Sequence, residues 1–123
     1  MDFYIGYDIG AISVNRAVID SNKNIIDVLP YSRHYGEPVR LVAKDIEALA
    51  KRKDLRKISG IAFTGSGGKI LASLLHSDFI NEIEAIITSI KYFYSDIKTV
   101  IETRGPSYGN WFKNPRTARW FFG

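Results

Sequence analysis

A short turn near the start of the chain carries the residues best suited to chemistry. Alternating hydrophobic residues over residues 3–7 predict a β-strand, which ends at Asp8. Gly10 then allows a backbone excursion that a β-carbon would obstruct, and Ser13 supplies a hydroxyl. Such a turn can lay N–H groups and a hydroxyl against a phosphate, and a carboxylate is a hard ligand for a divalent metal. Two interpretations stay open: a phosphate-binding turn with Asp8 as metal ligand, or an ordinary hairpin with a solvated acid.

A second glycine-rich turn follows a short apolar run at residues 58–63. A continuous apolar run of this length is typical of a strand covered on both faces. The turn occupies residues 64–68, a threonine followed by Gly-Ser-Gly-Gly, and leads into a short predicted helix. It is either a tight strand-to-helix connection or a second contact for phosphate or sugar, through Gly65, Ser66 and Gly67.

The remaining elements follow from periodicity and turn residues. After the first strand, the predicted order is a strand at 12–20, a strand at 25–29 ended by Pro30, a helix from Pro38 to about residue 53, a strand at 58–63, helices at 69–76 and 81–94, and a strand at 97–102. Pro38 fits a first helical position, where a backbone N–H is not needed.

This order predicts an α/β fold with a mixed five-stranded sheet, in which strands 1–3 are antiparallel and helices cover the faces. It resembles the ribonuclease H-like fold, the half-unit from which actin-like ATPases are built. In that arrangement the first and fourth strands are neighbours, so both glycine-rich turns open at one edge of the sheet. The shared edge favours the phosphate-binding interpretation of Asp8.

Length and composition narrow the classes of protein. The 123 residues, 46% of them hydrophobic, are enough for one domain with a modest core. The absence of cysteine excludes disulfides, thiolate metal sites and a cysteine-ligated iron–sulfur cluster within this chain. No apolar run is long enough to span a membrane, and the first residues follow a strand pattern rather than that of a secretory signal. We therefore expect a cytoplasmic protein with no membrane partner.

The net charge of +4 is confined to the end of the chain. All 13 acids lie at or before Glu102, together with 13 of the 17 lysines and arginines, so residues 1–102 are neutral. A basic isoelectric point often indicates nucleic-acid binding. Here the excess charge lies only in residues 103–123 and the body has no basic stripe, so no nucleic-acid partner is expected.

Five pieces of sequence, in the right order, resemble the BadF/BadG/BcrA/BcrD-type ATPases. This family includes the activators of 2-hydroxyacyl-CoA dehydratases and ATPase parts of benzoyl-CoA reductases. The pieces are GYDIGAISVN at 6–15, HYGEP at 34–38, IAFTGSGG at 61–68, NEIEA at 81–85 and VIE at 100–102. The resemblance covers about residues 3–102 and identifies them as the N-terminal lobe of such an ATPase domain.

The resemblance implies Mg-ATP binding and hydrolysis between two lobes. In the family, hydrolysis drives an electron from an iron–sulfur cluster into a partner dehydratase or reductase. Asp8 would be the catalytic residue on the Mg²⁺ side of the nucleotide. The phosphates would meet a loop made of Gly10, Ala11, Ile12, Ser13 and Asn15. Preorganised donors and a metal are the usual means of lowering a phosphoryl-transfer barrier.

Two positions of the first loop depart from the family pattern. The family usually has serine at the position of Ala11, so this chain lacks one hydroxyl donor there. It often has lysine at the position of Asn15, and we expect the neighbouring Arg16 to supply part of that charge.

Residues 103–123 depart entirely. The family continues from Glu102 into a second phosphate loop, Gly-Gly-Gln-Asp, and a second lobe. This chain continues instead with an aromatic and basic tail, which shows neither helical nor strand period. The tail is interpreted as an out-of-frame or truncated ending, or as a segment that docks on the sheet or a partner. Without a second lobe we expect poor ATP hydrolysis and self-association through exposed apolar surface.

Two other functions use the same fold. One is a catalytically silent interaction module. The other is a metal-dependent nuclease, which needs further acids beside Asp8; Asp45 or Glu47 alone would not suffice. Glu82 is kept as a candidate site residue of undefined role, and the two histidines have no metal-ligand spacing.

Overall fold

The computed structural model describes residues 2–52, 54, 55, 57–93, 100–103, 110–114 and 119–122. The chain divides into two compact units, Met1–Glu82 and Ile83–Gly123. The predicted boundary at residue 102 stays a prediction. Among the helices within these ranges, none combines the length and apolar character needed to cross a membrane.

The first unit is built on a mixed five-stranded sheet. Its strands are β1 (Phe3–Ile9), β2 (Ser13–Asp20), β3 (Ile25–Arg33), β4 (Ile58–Thr64) and β5 (Asp78–Phe79). They are ordered β3-β2-β1-β4-β5. The β1–β2 and β2–β3 pairs are antiparallel, and the β1–β4 and β4–β5 pairs are parallel. This topology confirms the predicted fold class and the adjacency of the first and fourth strands.

Two helices of the first unit connect the strands, α1 (Pro38–Ala50) and α2 (Gly68–Leu74). Proline occupies the start of α1 as predicted. The core is formed by alternate residues of the central strands together with one side of each helix. Its fully buried members are Tyr7, Ile9, Val14, Val18, Val42, Leu49, Phe63 and Leu71. The rings of Tyr7 and Phe63 stack with their centroids 5.2 Å apart, which joins β1 to β4 within this core.

The third strand is longer than predicted. Pro30 was expected to end it, but β3 continues to Arg33. The register shifts here, because Val14 pairs with Ser32 whereas Arg16 pairs with Leu29. A bulge at Pro30 absorbs the extra residue, and β3 lies at the edge of the sheet, where a missing N–H is tolerated.

The fifth strand of this sheet is not the one predicted. A strand was expected at residues 97–102, but β5 is the two-residue segment Asp78–Phe79. A segment this short gives no periodic signal. Residues 97–99 lie outside the described residues, and the remainder of the predicted strand falls in a strand of the second unit.

The second unit contains α3 (Glu82–Phe93), apart from its first residue, and a separate antiparallel sheet. Its strands are β6 (Val100–Thr103), β7 (Asn110–Asn114) and β8 (Arg119–Phe122), in the order β6-β7-β8. The tail, whose sequence shows neither helical nor strand period, contains two of these short strands, β7 and β8. Both tail strands are rich in aromatic residues, which favour strands, but each is too short to show an alternating pattern.

An arginine lies on the buried side of β2, where an unpaired charge would be costly. The Arg16 side chain is only 5% exposed. Its Nε and Nη2 donate to the two carboxylate oxygens of Asp45 in α1, each at 2.9 Å, and its Nη1 donates to Asp27 in β3. The Tyr7 hydroxyl donates to the same Asp45 carboxylate at 2.6 Å. This network ties α1 to three adjacent strands.

The network shifts the pKa of its members in the directions expected for a partly buried ion cluster. Burial, followed by the hydrogen bond to Asp45, raises the pKa of Tyr7 far above its ordinary value. The hydrogen bond to Asp45 keeps the pKa of Arg16 above its ordinary value. The hydrogen bond from Arg16 lowers the pKa of Asp27, with Arg52 adding to the effect.

Replacing Asp45 should be costly. We expect Asp45→Asn to lower the free energy of unfolding by about 3 kcal/mol, because it leaves the Arg16 charge buried without its main partner. Glu47→Gln is the matched control on the same helix. Glu47 is exposed and pairs with the exposed Lys51 at 3.3 Å, so its loss should cost less than about 1 kcal/mol. Urea unfolding at pH 7 measures both, and equal costs would contradict the role given to Asp45.

Asp27 should make stability depend on acid pH. Because its folded-state pKa lies below the unfolded value of about 3.9, its contribution is present above that value and is lost as pH falls through the folded pKa. We expect Asp27→Asn to destabilise the chain at pH 7 and to cost progressively less below about pH 4. Urea unfolding of both proteins from pH 7 to pH 2 measures the difference. A cost that stays constant with pH would show that Asp27 does not act through its charge.

Candidate functional site

The turn between β1 and β2 is held in a closed hairpin. The Gly10 N–H donates to the Ser13 carbonyl oxygen at 2.8 Å. A β-carbon at Gly10 would lie 3.5 Å from Ser13 Oγ, so the hydroxyl stands beside the turn. Ala11 and Ile12 are exposed at its tip. Because the Gly10 amide is used within the hairpin, Gly10 contributes shape, while the later amides and the Ser13 hydroxyl are the candidate donors.

The second turn closes directly against the end of β1. Gly65 has φ +91°, a conformation that favours glycine. A β-carbon there would lie 2.6 Å from Asp8 Oδ1 and closer still to the Ile9 carbonyl oxygen. The Gly67 N–H donates to that carbonyl at 3.0 Å. The Asp8 carboxylate and the glycines that follow Phe63 therefore lie side by side.

Three polar residues form a row across neighbouring strands at the carboxyl ends of β1 and β4. Asp8 pairs with Asn15 of β2 on one side and with Thr64 of β4 on the other. Paired residues of neighbouring strands project to the same face, which is opposite to that of Tyr7. The Thr64 hydroxyl oxygen is buried and has no hydrogen-bond partner among the described residues. A buried polar atom in that condition is costly unless another group satisfies it.

These features fit a metal-bound phosphate group. Mg²⁺ prefers oxygen ligands and is usually held by one or two carboxylates together with substrate phosphates. Asp8 is a carboxylate at the strand end, Thr64 offers a hydroxyl with no hydrogen-bond partner among the described residues, and the absence of a side chain at Gly65 lets the backbone of the second turn approach the carboxylate closely. The donor set is of the right kind.

Most of the predicted site residues come together, but not all. Asp8, Asn15 and the turns at residues 10–13 and 65–67 meet at one edge of the sheet. The expectation that Arg16 supplies charge there was wrong, because its side chain lies on the opposite face with Asp45. Side chains of a strand alternate between its two faces, so Arg16, midway between the apolar Val14 and Val18, could have been placed on their face of the sheet. Glu82, the first residue of α3, stays a prediction.

The first helix supplies no acid beside Asp8, as the alternative function of a metal-dependent nuclease would require. Asp45 is held by Arg16 and Tyr7 on the other face of the sheet, so it does not join Asp8. Over the part of the chain that the structure describes, no three His, Asp or Glu side chains group as a metal site would require.

His34 belongs to the site although sequence reasoning gave it no role. It is 8% exposed and lies between β3 and α1. Its Nε2 lies 3.0 Å from the Gly10 carbonyl oxygen, and its backbone N–H donates to the Ile12 carbonyl at 3.0 Å. The signal available in the sequence was its place in HYGEP, one of the pieces that resemble the ATPases.

Comparison with solved structures finds similar folds. Component A of the (R)-2-hydroxyglutaryl-CoA dehydratase of Acidaminococcus fermentans is matched with a TM-score of 0.76 and 15% identity, over 100% of this chain and 48% of that chain. The activator of the 2-hydroxyisocaproyl-CoA dehydratase from Clostridium difficile, with bound ADPNP, is matched with a TM-score of 0.69 and 15% identity, over 98% and 45%. An Aquifex aeolicus member of the Ppx/GppA family gives a TM-score of 0.56 and 14% identity, over 98% and 50%.

The chain therefore has the fold of the actin-like ATPases, and it spans about half the length of these structures. Identities this low establish the fold alone. The sequence matches no protein-family model and no curated protein.

Substitution of Gly65 tests the close approach of the two turns. We expect Gly65→Ala to lower the free energy of unfolding by about 3 kcal/mol or more, since it combines an unfavourable φ with overlap against β1. Gly36→Ala is the matched control, with φ +76° and nothing within 4 Å, and should cost about 1–2 kcal/mol. Gly6→Ala, which also has open space, should be nearly neutral. Urea unfolding of the three variants measures the costs, and equal losses at Gly65 and Gly36 would contradict the overlap.

Proposed function

We propose that this chain is a nucleotide-binding lobe that holds the phosphates of Mg-ATP at the edge formed by β1, β2 and β4. The observation that carries the proposal is the contact between the Asp8 carboxylate and the backbone of Gly65. It joins an acid suited to Mg²⁺ with two turns suited to phosphate. The actin-like fold supports this proposal, as does the ADPNP bound to the Clostridium difficile activator.

Each residue of the site has a proposed role. Asp8 would hold Mg²⁺, directly or through water, with the Thr64 hydroxyl as a further oxygen donor. The amides of the first turn and the Ser13 hydroxyl would donate to the phosphate oxygens, and Asn15 would stand where the family often has lysine. The turn at residues 65–67 would face the phosphates from β4. Bound Mg²⁺ would neutralise charge that develops on the phosphates during transfer.

The wider activity is proposed by analogy. We infer that the intact system is an activator of the BadF/BadG/BcrA/BcrD type, coupling ATP hydrolysis to a 2-hydroxyacyl-CoA dehydratase or a related reductase. Two of the matched structures, a dehydratase component and a dehydratase activator, support this inference. A fold hosts several functions, and the Ppx/GppA protein shares this one, so the inference rests on the site rather than on the fold. The competing function is an interaction module of the same fold that ignores nucleotide.

Nucleotide binding by the full chain tests the proposal. We expect Mg-ADPNP to stabilise it, by about 2.7 kcal/mol at a concentration one hundred times the Kd. EDTA should abolish the effect. Asp8→Asn should weaken binding at least tenfold, because a metal-facing carboxylate is lost. Isothermal titration and thermal unfolding measure affinity and stabilisation.

Asp54→Asn is the matched control. Asp54 precedes β4 and therefore lies at the opposite end of the sheet, where it pairs with the partly exposed Arg52. This variant should bind Mg-ADPNP as the unaltered chain does. Absence of binding by the unaltered chain would leave the interaction module as the better description. Equal losses from Asp8→Asn and Asp54→Asn would remove Asp8 from the site.

A further inference from the structure

The imidazole of His34 bridges two backbone groups that belong to different segments. The Gly36 N–H donates to His34 Nδ1 at 3.1 Å, and His34 Nε2 lies 3.0 Å from the Gly10 carbonyl oxygen. Gly36 belongs to the link that leads into α1, whereas Gly10 begins the turn between β1 and β2. The ring therefore ties the first turn of the site to the start of the following helix.

The partners of the ring fix its tautomer. A backbone N–H can only donate, so Nδ1 must carry a lone pair to accept from Gly36. A backbone carbonyl can only accept, so Nε2 must carry the hydrogen that Gly10 receives. His34 is therefore the neutral Nε2–H imidazole, and each ring nitrogen has one partner of the right kind.

By binding the carbonyl oxygens of Gly10 and Ile12, His34 also sets the direction of the amides that follow them. In a trans peptide the C=O of one residue and the N–H of the next point to opposite sides. His34 holds the Gly10 carbonyl with its ring and the Ile12 carbonyl with its backbone N–H, at 3.0 Å each. The N–H groups of Ala11 and Ser13 are thereby turned away from His34.

We propose that His34 is a positioning residue, which orients the loop amides toward the nucleotide phosphates through its Nε2–H bond to Gly10. This inference rests on the proposed function, since it is the phosphate that gives the orientation its purpose. In this role His34 would act through the backbone of the turn rather than by binding phosphate. Its contribution is to keep donors aligned that would otherwise have to be ordered when the ligand binds.

Two near-isosteric substitutions separate the two ring bonds. In His34→Gln, the side-chain amide nitrogen takes the place of Nε2 and keeps the donor to Gly10. In His34→Asn, the side-chain oxygen takes the place of Nδ1, so the bond from Gly36 is kept and that to Gly10 is lost. We expect His34→Asn to raise the Kd for Mg-ADPNP about tenfold, the factor associated with one hydrogen bond. His34→Gln should stay within about threefold of the unaltered chain, and His76→Asn, at an exposed histidine, should leave the Kd unchanged.

A measurement without nucleotide keeps the inference separate from the proposed function. Nitrogen-15 spectra of the imidazoles should show His34 with hydrogen on Nε2 and none on Nδ1. The amide resonances of Ala11 and Ser13 should shift in His34→Asn and stay close to their original positions in His34→Gln. If both spectral results are obtained while Mg-ADPNP fails to bind the unaltered chain, the proposed function is wrong. The orientation of the turn by His34 is then still supported.

Other outcomes overturn the inference. An Nδ1–H tautomer, or equal shifts of the turn amides in the two variants, would show that the Gly10 bond does not orient the turn. Equal affinities in both variants, with equal losses of stability in urea, would mean that His34 is only a structural link between β3 and α1.

Discussion

At the carboxyl ends of β1 and β4 there is no space for a side chain between Gly65 and the Ile9 carbonyl oxygen. This close approach determines the geometry of the candidate site. It lets the chain leave β4 with positive φ at Gly65 and brings the Gly67 amide onto the same carbonyl at 3.0 Å. The Asp8 carboxylate lies beside this turn, and the other glycine-rich turn follows Asp8 directly in the chain.

Side chains of the central strands alternate between the two faces of the sheet, so the two faces carry different groups. Tyr7 and Arg16 face α1, where the Asp45 carboxylate satisfies both through bonds of 2.6–2.9 Å. Their neighbours Asp8 and Asn15 pair with each other on the opposite face. Buried charges are costly unless fully partnered, and this network is well partnered. The ion cluster therefore fixes the strands from one side, and the opposite side carries the polar row that includes Thr64, whose hydroxyl has no hydrogen-bond partner among the described residues.

The structures that share this fold include a dehydratase component, a dehydratase activator and a Ppx/GppA protein, at identities of 14–15%. A shared fold does not determine function, so the function of this chain has to be argued from the residues of its site. In this chain those residues combine a carboxylate, a serine beside a closed hairpin and a turn made of glycine. Such a set is suited to a metal-bound polyphosphate because it supplies oxygen ligands and backbone donors without bulk.

The sequence by itself determined the elements whose signal is local: the first strand, which carries Asp8 near its end, the glycine-rich turns, the start of α1 at Pro38, and from their order the adjacency of β1 and β4. Only the tertiary structure decided which short segments pair, because the two residues of β5 and the short strands of the tail have no period to read. It also decided the partners of Arg16 and the hydrogen bonds of His34. His34 and Gly10 are 24 residues apart in the chain. Hydrogen bonds over that separation depend on where the backbone brings each group, and no spacing in the sequence records it.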